Sequence, residues 1–147
     1  MIRLAINGYG RIGRCVLRAL YESDYRRQMQ IVAINEPADL ATIVHLTKYD
    51  STHGRFPGKV SAADSSLVVE GDRIAVTHHK ALEDVHWAGV DLVLECTGHY
   101  DSRDAVSAHL EQGANYTLLS QPGQADIPAI VFGVNDRELD AETHIAS

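Results

Sequence analysis

Three glycines and one glutamate are the residues of this chain best placed to do chemistry. Gly8, Gly10 and Gly13 stand in Asn7-Gly8-Tyr9-Gly10-Arg11-Ile12-Gly13, a G-x-G-x-x-G spacing. A pyrophosphate needs that spacing. The first glycine allows a tight turn, the second removes the Cβ that would block the phosphates, and the third lets a helix lie close on a strand. Arg11 and Ile12 fall in the first helical turn, where free N–H groups and the positive dipole end meet an anion. Glu36 follows the apolar run Gln30–Asn35, 23 residues beyond Gly13. A carboxylate there accepts hydrogen bonds from both ribose hydroxyls and repels a 2′-phosphate, and Pro37 rather than an arginine follows it. NAD is therefore expected over NADP. Three glycines alone are weak evidence, and a surface glutamate ending a strand is the bland alternative. The weight comes from the strand before, the helix after and the acid at the end of the next strand.

Those residues need elements to hold them. Ile2 to Ile6 reads as a strand, and Arg11 to about Tyr25 as a helix with Ile12, Val16, Leu17, Leu20 and Tyr21 at helical spacing. After the second strand, Asp39 to Lys48 reads as a helix with Leu40, Ile43, Val44 and Thr47 toward the sheet. Lys59–Ala62, Ser66–Glu70 and Arg73–Thr77 are short and β-branched, with a turn at Gly71-Asp72. Alternation resumes with a buried strand at Asp91–Cys96 and a helix from Ser102 to Gln112, capped by Asp101 or Ser102 and stopped by Gly113. Tyr116–Ser120 and Ala129–Phe132 read as two further strands. The fold class is α/β: a Rossmann-type, mostly parallel, doubly wound sheet with a small antiparallel excursion at about residues 58–78. Residues 1–147 form one dinucleotide-binding domain.

Composition narrows the setting. Hydrophobic residues make up 45% of the chain, which excludes disorder, and no apolar run approaches the ~20 residues of a membrane span. The net charge of −7 argues against a nucleic-acid or membrane surface. Met1-Ile2-Arg3 leads straight into a strand, so a secretory leader is not expected and the protein is placed in the cytoplasm. Two cysteines are too few for a disulfide framework. His78 and His79 are adjacent and point to opposite faces of a strand, so no metal is assigned.

Four segments together resemble a known family. They are Ile6–Arg14, Lys48-Tyr49-Asp50-Ser51-Thr52-His53-Gly54-Arg55-Phe56, Glu95-Cys96-Thr97-Gly98 and Phe132-Gly133-Val134-Asn135. In this order they are similar to the NAD-binding half of the phosphorylated-aldehyde dehydrogenases typified by glyceraldehyde-3-phosphate dehydrogenase. Ala19–Ser23, Ala33–Glu36, Tyr100–Arg103 and Ser120–Gly123 look like the erythrose-4-phosphate dehydrogenase branch, while Pro37 is a feature of the glycolytic type.

The resemblance implies more cofactor contacts. Asn7 and Asn35 end the first two strands, with turn capping as their alternative role. Thr97 and Gly98 resemble the family's backbone and hydroxyl contacts near the adenosine ribose. Tyr100 matches an aromatic near the adenine, with core packing as the alternative. Lys80 aligns with an arginine that lies against the adenine, and a lysine loses the planar stacking. Ser120 matches the residue flanking the nicotinamide, and Gln121 departs from the family's usual alanine. Arg11 serves equally well as a solvated or subunit-contact residue.

The resemblance also implies what these residues lack. The family's nucleophilic cysteine lies in a segment for which His144–Ser147 looks like the lead-in, so Cys15 and Cys96 are read as packing residues and no catalytic residue is assigned. The chain alone is expected to bind NAD without catalysis. A sugar-phosphate aldehyde is the substrate implied for the complete polypeptide, which is expected to be a homotetramer. The helix that covers one sheet face in the family is not among these residues, so an exposed apolar sheet face is expected. A stand-alone NAD-binding module and a different dehydrogenase on the same fold are the alternatives.

Overall fold

The computed structural model describes all 147 residues and places the first strand, β1 (Ile2–Asn7), inside an eight-stranded sheet. Helix α1 (Arg11–Tyr21) returns the chain to β2 (Met29–Asn35), which pairs parallel with β1. Helix α2 (Leu40–Lys48) and a two-stranded ribbon, β3 (Tyr49–Asp50) with β4 (Gly54–Arg55), come next. The antiparallel run β5 (Val60–Ala63), β6 (Ser66–Val69) and β7 (Asp72–Thr77) then joins the sheet, with β7 parallel to β2. From there the chain crosses to the other side of β1. Strand β8 (Leu92–Glu95) pairs parallel with β1, and α3 (Arg103–Glu111), β9 (Tyr116–Leu119) and β10 (Ile145–Ala146) complete the sheet. The order is β10-β9-β8-β1-β2-β7-β6-β5. The direction of winding reverses at β1, and a parallel sheet of this kind binds ligands beyond the carboxyl ends of the strands at that reversal.

Local chemistry sets the boundaries. Helix α1 stops at Tyr21, short of the expected Tyr25, because the Ser23 hydroxyl accepts from the Tyr25 amide and opens a 3₁₀ turn at Asp24–Arg27. Asp39 caps α2 and Ser102 caps α3, each by accepting an amide three residues on. The β6–β7 turn is Glu70-Gly71, one position earlier than expected. Both residues have positive φ, 51° and 91°, as the turn that matches a hairpin's twist requires.

The expected strand at Ala129–Phe132 does not form. Only the Pro128–Ile130 stretch is drawn toward the sheet, the Ser147 amide donating to the Pro128 carbonyl and the Ile130 amide to the Ser147 carbonyl. Beyond it the chain turns, and Phe132 is left 92% exposed. The strand beside β9 is Ile145–Ala146 instead.

Apolar residues fill both faces of the sheet. Leu4, Ile6, Ile31 and Ile34 pack with Leu17, Leu20 and Ile43 of α1 and α2. On the opposite face Ala5 and Val93 pack with Val85, Trp87, Val90 and Ala114, and Val106 of α3 packs with Leu119, Ile127 and Ile145. One flank is bare. Ile2, Leu92, Tyr116 and Leu118 line an open groove of about 450 Å³, on the face that α1 and α2 cover farther along. This is the uncovered apolar surface that the sequence led us to expect.

Candidate cofactor site

The site grows from the carboxyl end of β1. Gly8 has φ 87°, and a Cβ on it would lie 2.6 Å from the Thr97 amide nitrogen, so only glycine permits this turn against the end of β8. A Cβ on Gly13 would sit 2.5 Å from the Gly8 carbonyl oxygen, so α1 rests directly on the loop. Gly10 differs, because nothing lies within 4 Å of where its Cβ would be. Two glycines are demanded by the protein's own packing, and the third leaves a space open.

That space faces the start of α1. Gly10 is the N-cap residue and offers no side-chain hydrogen bond. The first amides of a helix have no intrahelical partner, so this end presents N–H groups and a positive dipole to an anion. Glu36 stands beside the loop, held ready by the Tyr9 amide at 2.8 Å on one oxygen and the Ala38 amide at 3.2 Å on the other. The Tyr9 phenol is 3.0 Å from the Thr47 hydroxyl, and burial pushes its pKa up to about 12, so it stays neutral.

A cleft of about 260 Å³ opens over these groups. Of the residues picked from the sequence, Asn7, Gly8, Gly10, Asn35, Glu36, Lys80, Thr97 and Tyr100 line it. Arg11 and Ile12 are exposed at the first turn of α1, and Gly13 is buried beneath it. Gly98, with φ 75°, lies toward Gln121. Ser120 follows β9, and burial raises the pKa of the Cys96 thiol at the end of β8.

Two side-chain roles differ from the simplest contact picture. The Thr97 hydroxyl donates to Glu95 and accepts from the His99 amide, so it is already engaged inside the protein. Asn7 donates to Glu95, and Asn35 donates to Asn7 and to the His79 carbonyl. Both asparagines are buried and build the floor of the cleft.

Pro37, His79, Leu82, Cys96 and His99 also line the cleft, beyond the contacts that the sequence predicts. The signal for His79 was present. It follows β7, and pairing β7 parallel with β2 carries it to the same edge of the sheet.

The reversal of winding at β1, the uncapped α1 and the carboxylate at the end of β2 define a dinucleotide-binding domain. The open space over Gly10 and the free amides fit a pyrophosphate. The family described as glyceraldehyde 3-phosphate dehydrogenase, NAD binding domain, matches residues 2–103. This chain belongs to that family, and its cofactor is NAD. It is similar to a glyceraldehyde-3-phosphate dehydrogenase of Pseudomonas aeruginosa, with 53% identity over 148 aligned residues, covering 99% of this chain. The chain spans 44% of the length of that relative. No helix is long and apolar enough to cross a membrane.

Proposed function

We propose that these residues are the NAD-binding half of a dehydrogenase that oxidises a phosphorylated aldehyde, D-erythrose 4-phosphate, to 4-phosphoerythronate. The observation that carries the dehydrogenase reading is the cradle at Gly10 and α1 facing Glu36, in a chain of this family. The amides of α1 hold the pyrophosphate, and Glu36 orients the ribose and disfavours a 2′-phosphate. When bound, NAD supplies the hydride acceptor.

The nucleophile is expected from outside residues 1–147. Cys15 lies within α1, and the Cys96 thiol is held protonated by burial, whereas attack on an aldehyde needs a thiolate. Parallel pairing of β10 with β9 points Ser147 toward the carboxyl edge of the sheet, the edge that carries the cleft. A thiolate supplied from elsewhere in the polypeptide would add to the aldehyde, the bound NAD held by these residues would serve as hydride acceptor, and water would release the acid from the resulting thioester. The likeness of Ala19–Ser23, Glu36 and Ser120–Gly123 to the erythrose-4-phosphate branch supports that substrate. A cytoplasmic homotetramer is the setting that the family likeness supports.

The second reading is glyceraldehyde 3-phosphate with phosphate as the acyl acceptor, favoured by the name of the Pseudomonas relative. Rates of NADH formation by the full-length polypeptide with each aldehyde, with and without inorganic phosphate, decide between them. A higher kcat/KM on erythrose 4-phosphate without a phosphate requirement supports the first reading. Preference for glyceraldehyde 3-phosphate with obligatory phosphate supports the second. The chain of residues 1–147 is expected to bind NAD and to form no aldehyde-dependent NADH.

A further inference from the structure

Glu95 ends β8 as a carboxylate only 1% exposed. One of its oxygens accepts from the Asn7 amide group at 2.7 Å and lies 2.8 Å from His109 Nε2. The other accepts from the Thr97 backbone amide at 2.8 Å and from the Thr97 hydroxyl. On the far side of His109, Trp87 Nε1 donates to Nδ1 at 2.9 Å. An indole N–H can only donate, so Nδ1 carries no proton and Nε2 donates to Glu95. All four acceptor directions of the carboxylate are then filled, and a proton on it would meet a donor wherever it sat. Burial works to raise the Glu95 pKa, but the hydrogen bonds from His109, Thr97 and Asn7 outweigh it and hold the carboxyl below its ordinary range.

The chain of hydrogen bonds continues toward the cleft. Asn7 accepts from Asn35, and Asn35 accepts from the Thr77 hydroxyl and the His79 amide. One continuous row thus joins Trp87 and α3, on one face of the sheet, to residues that line the cofactor cleft. Apolar side chains would serve packing at this depth without the cost of burying a charge. A charge whose every donor is fixed sets directions instead. The Thr97 backbone is also the surface against which Gly8 turns, so a shift of Thr97 displaces the pyrophosphate loop.

We propose that Glu95 and His109 are positioning residues for the cofactor. They hold the Thr97-Gly98 turn and Asn7 in register across the reversal at β1, through a single protonation pattern shared with Trp87.

Calorimetric titration of NAD into this chain tests the proposal, with the unaltered chain as reference. If the unaltered chain fails to bind NAD, the cofactor assignment fails before this one. In Glu95→Gln the amide NH₂ must face at least one N–H donor whichever way it is turned, the Thr97 backbone amide on one side and the Asn7 and His109 donors on the other. The Kd for NAD is expected to rise about tenfold or more at an unchanged one-to-one stoichiometry. His109→Phe is expected to do the same, while His109→Gln, which can still offer an N–H to Glu95, recovers most of the affinity. A purely structural role would lower the melting temperature and the bound fraction but leave Kd at its native value, and that result overturns the proposal. If Glu95→Gln does not fold, Thr97→Val keeps the side-chain shape and removes one donor. It should weaken NAD by a few fold, and native affinity there also overturns the proposal. Nitrogen NMR at neutral pH should find the His109 proton on Nε2 alone; a proton on Nδ1 contradicts the arrangement.

Discussion

Three helices begin at the same edge of the sheet, and one of them is built differently. The N-terminus of α2 is closed by Asp39 and that of α3 by Ser102, each spending a side-chain oxygen on an amide of the first turn. Helix α1 begins at Gly10, which has no side chain to offer. The acid beside it, Glu36, bonds the Tyr9 and Ala38 amides and leaves the first turn alone. Two helix ends are finished within the fold, and the third is left for a ligand to finish.

Gly8→Ala should break this comparison most severely. It combines a left-handed backbone with a Cβ 2.6 Å from the Thr97 nitrogen. Loss of about 3 kcal/mol or more of stability is expected in chemical denaturation, with loss of NAD binding.

Gly10→Ala separates ligand from fold. Its Cβ would meet nothing within 4 Å, so stability should stay within about 1 kcal/mol of native while NAD affinity falls by about tenfold or more. Equal affinity in a paired titration would mean that the phosphates do not pass over Gly10.

Glu36→Ala should lower NAD affinity and narrow the gap to NADP. In the native chain that gap is expected to be about tenfold or more in favour of NAD. If NADP binds the native chain as tightly as NAD, the carboxylate is not at the ribose.

Ser102→Ala is the control at the finished end. It should cost about 1 kcal/mol in thermal unfolding and leave the NAD dissociation constant unchanged.

The sequence makes this contrast legible because caps and glycines act over three or four residues. The spacing of Gly8, Gly10 and Gly13 and the cap at Ser102 can be read within a turn or two of chain, whereas the contact of Gly8 with Thr97 cannot. Neither can the role of Glu95. Its partner Asn7 lies 88 residues away and His109 lies 14 away, so the carboxylate reads only as the end of a strand. The Ala129–Phe132 segment fails for the opposite reason. Its apolar, β-branched pattern is what a strand shows, but its backbone meets the sheet only through the Ile130 amide, with Pro128 before the segment and Gly133 at φ 80° after it. The strand that does form, Ile145–Ala146, is too short to carry a period.

The place of β1 also shapes how the chain is made. Among the strands described here it is synthesised first, and one of its two neighbours, β8, pairs with it through Leu4 and Leu92, 88 residues later. At ordinary rates of synthesis that gap lasts roughly 4 to 18 s. Through that interval one edge of this buried strand stands open in the nascent chain, a binding site for chaperones and a hazard for strand addition between neighbouring chains. The pace of synthesis between Leu4 and Leu92 is therefore expected to affect the yield of this domain as well as the stability of its finished core.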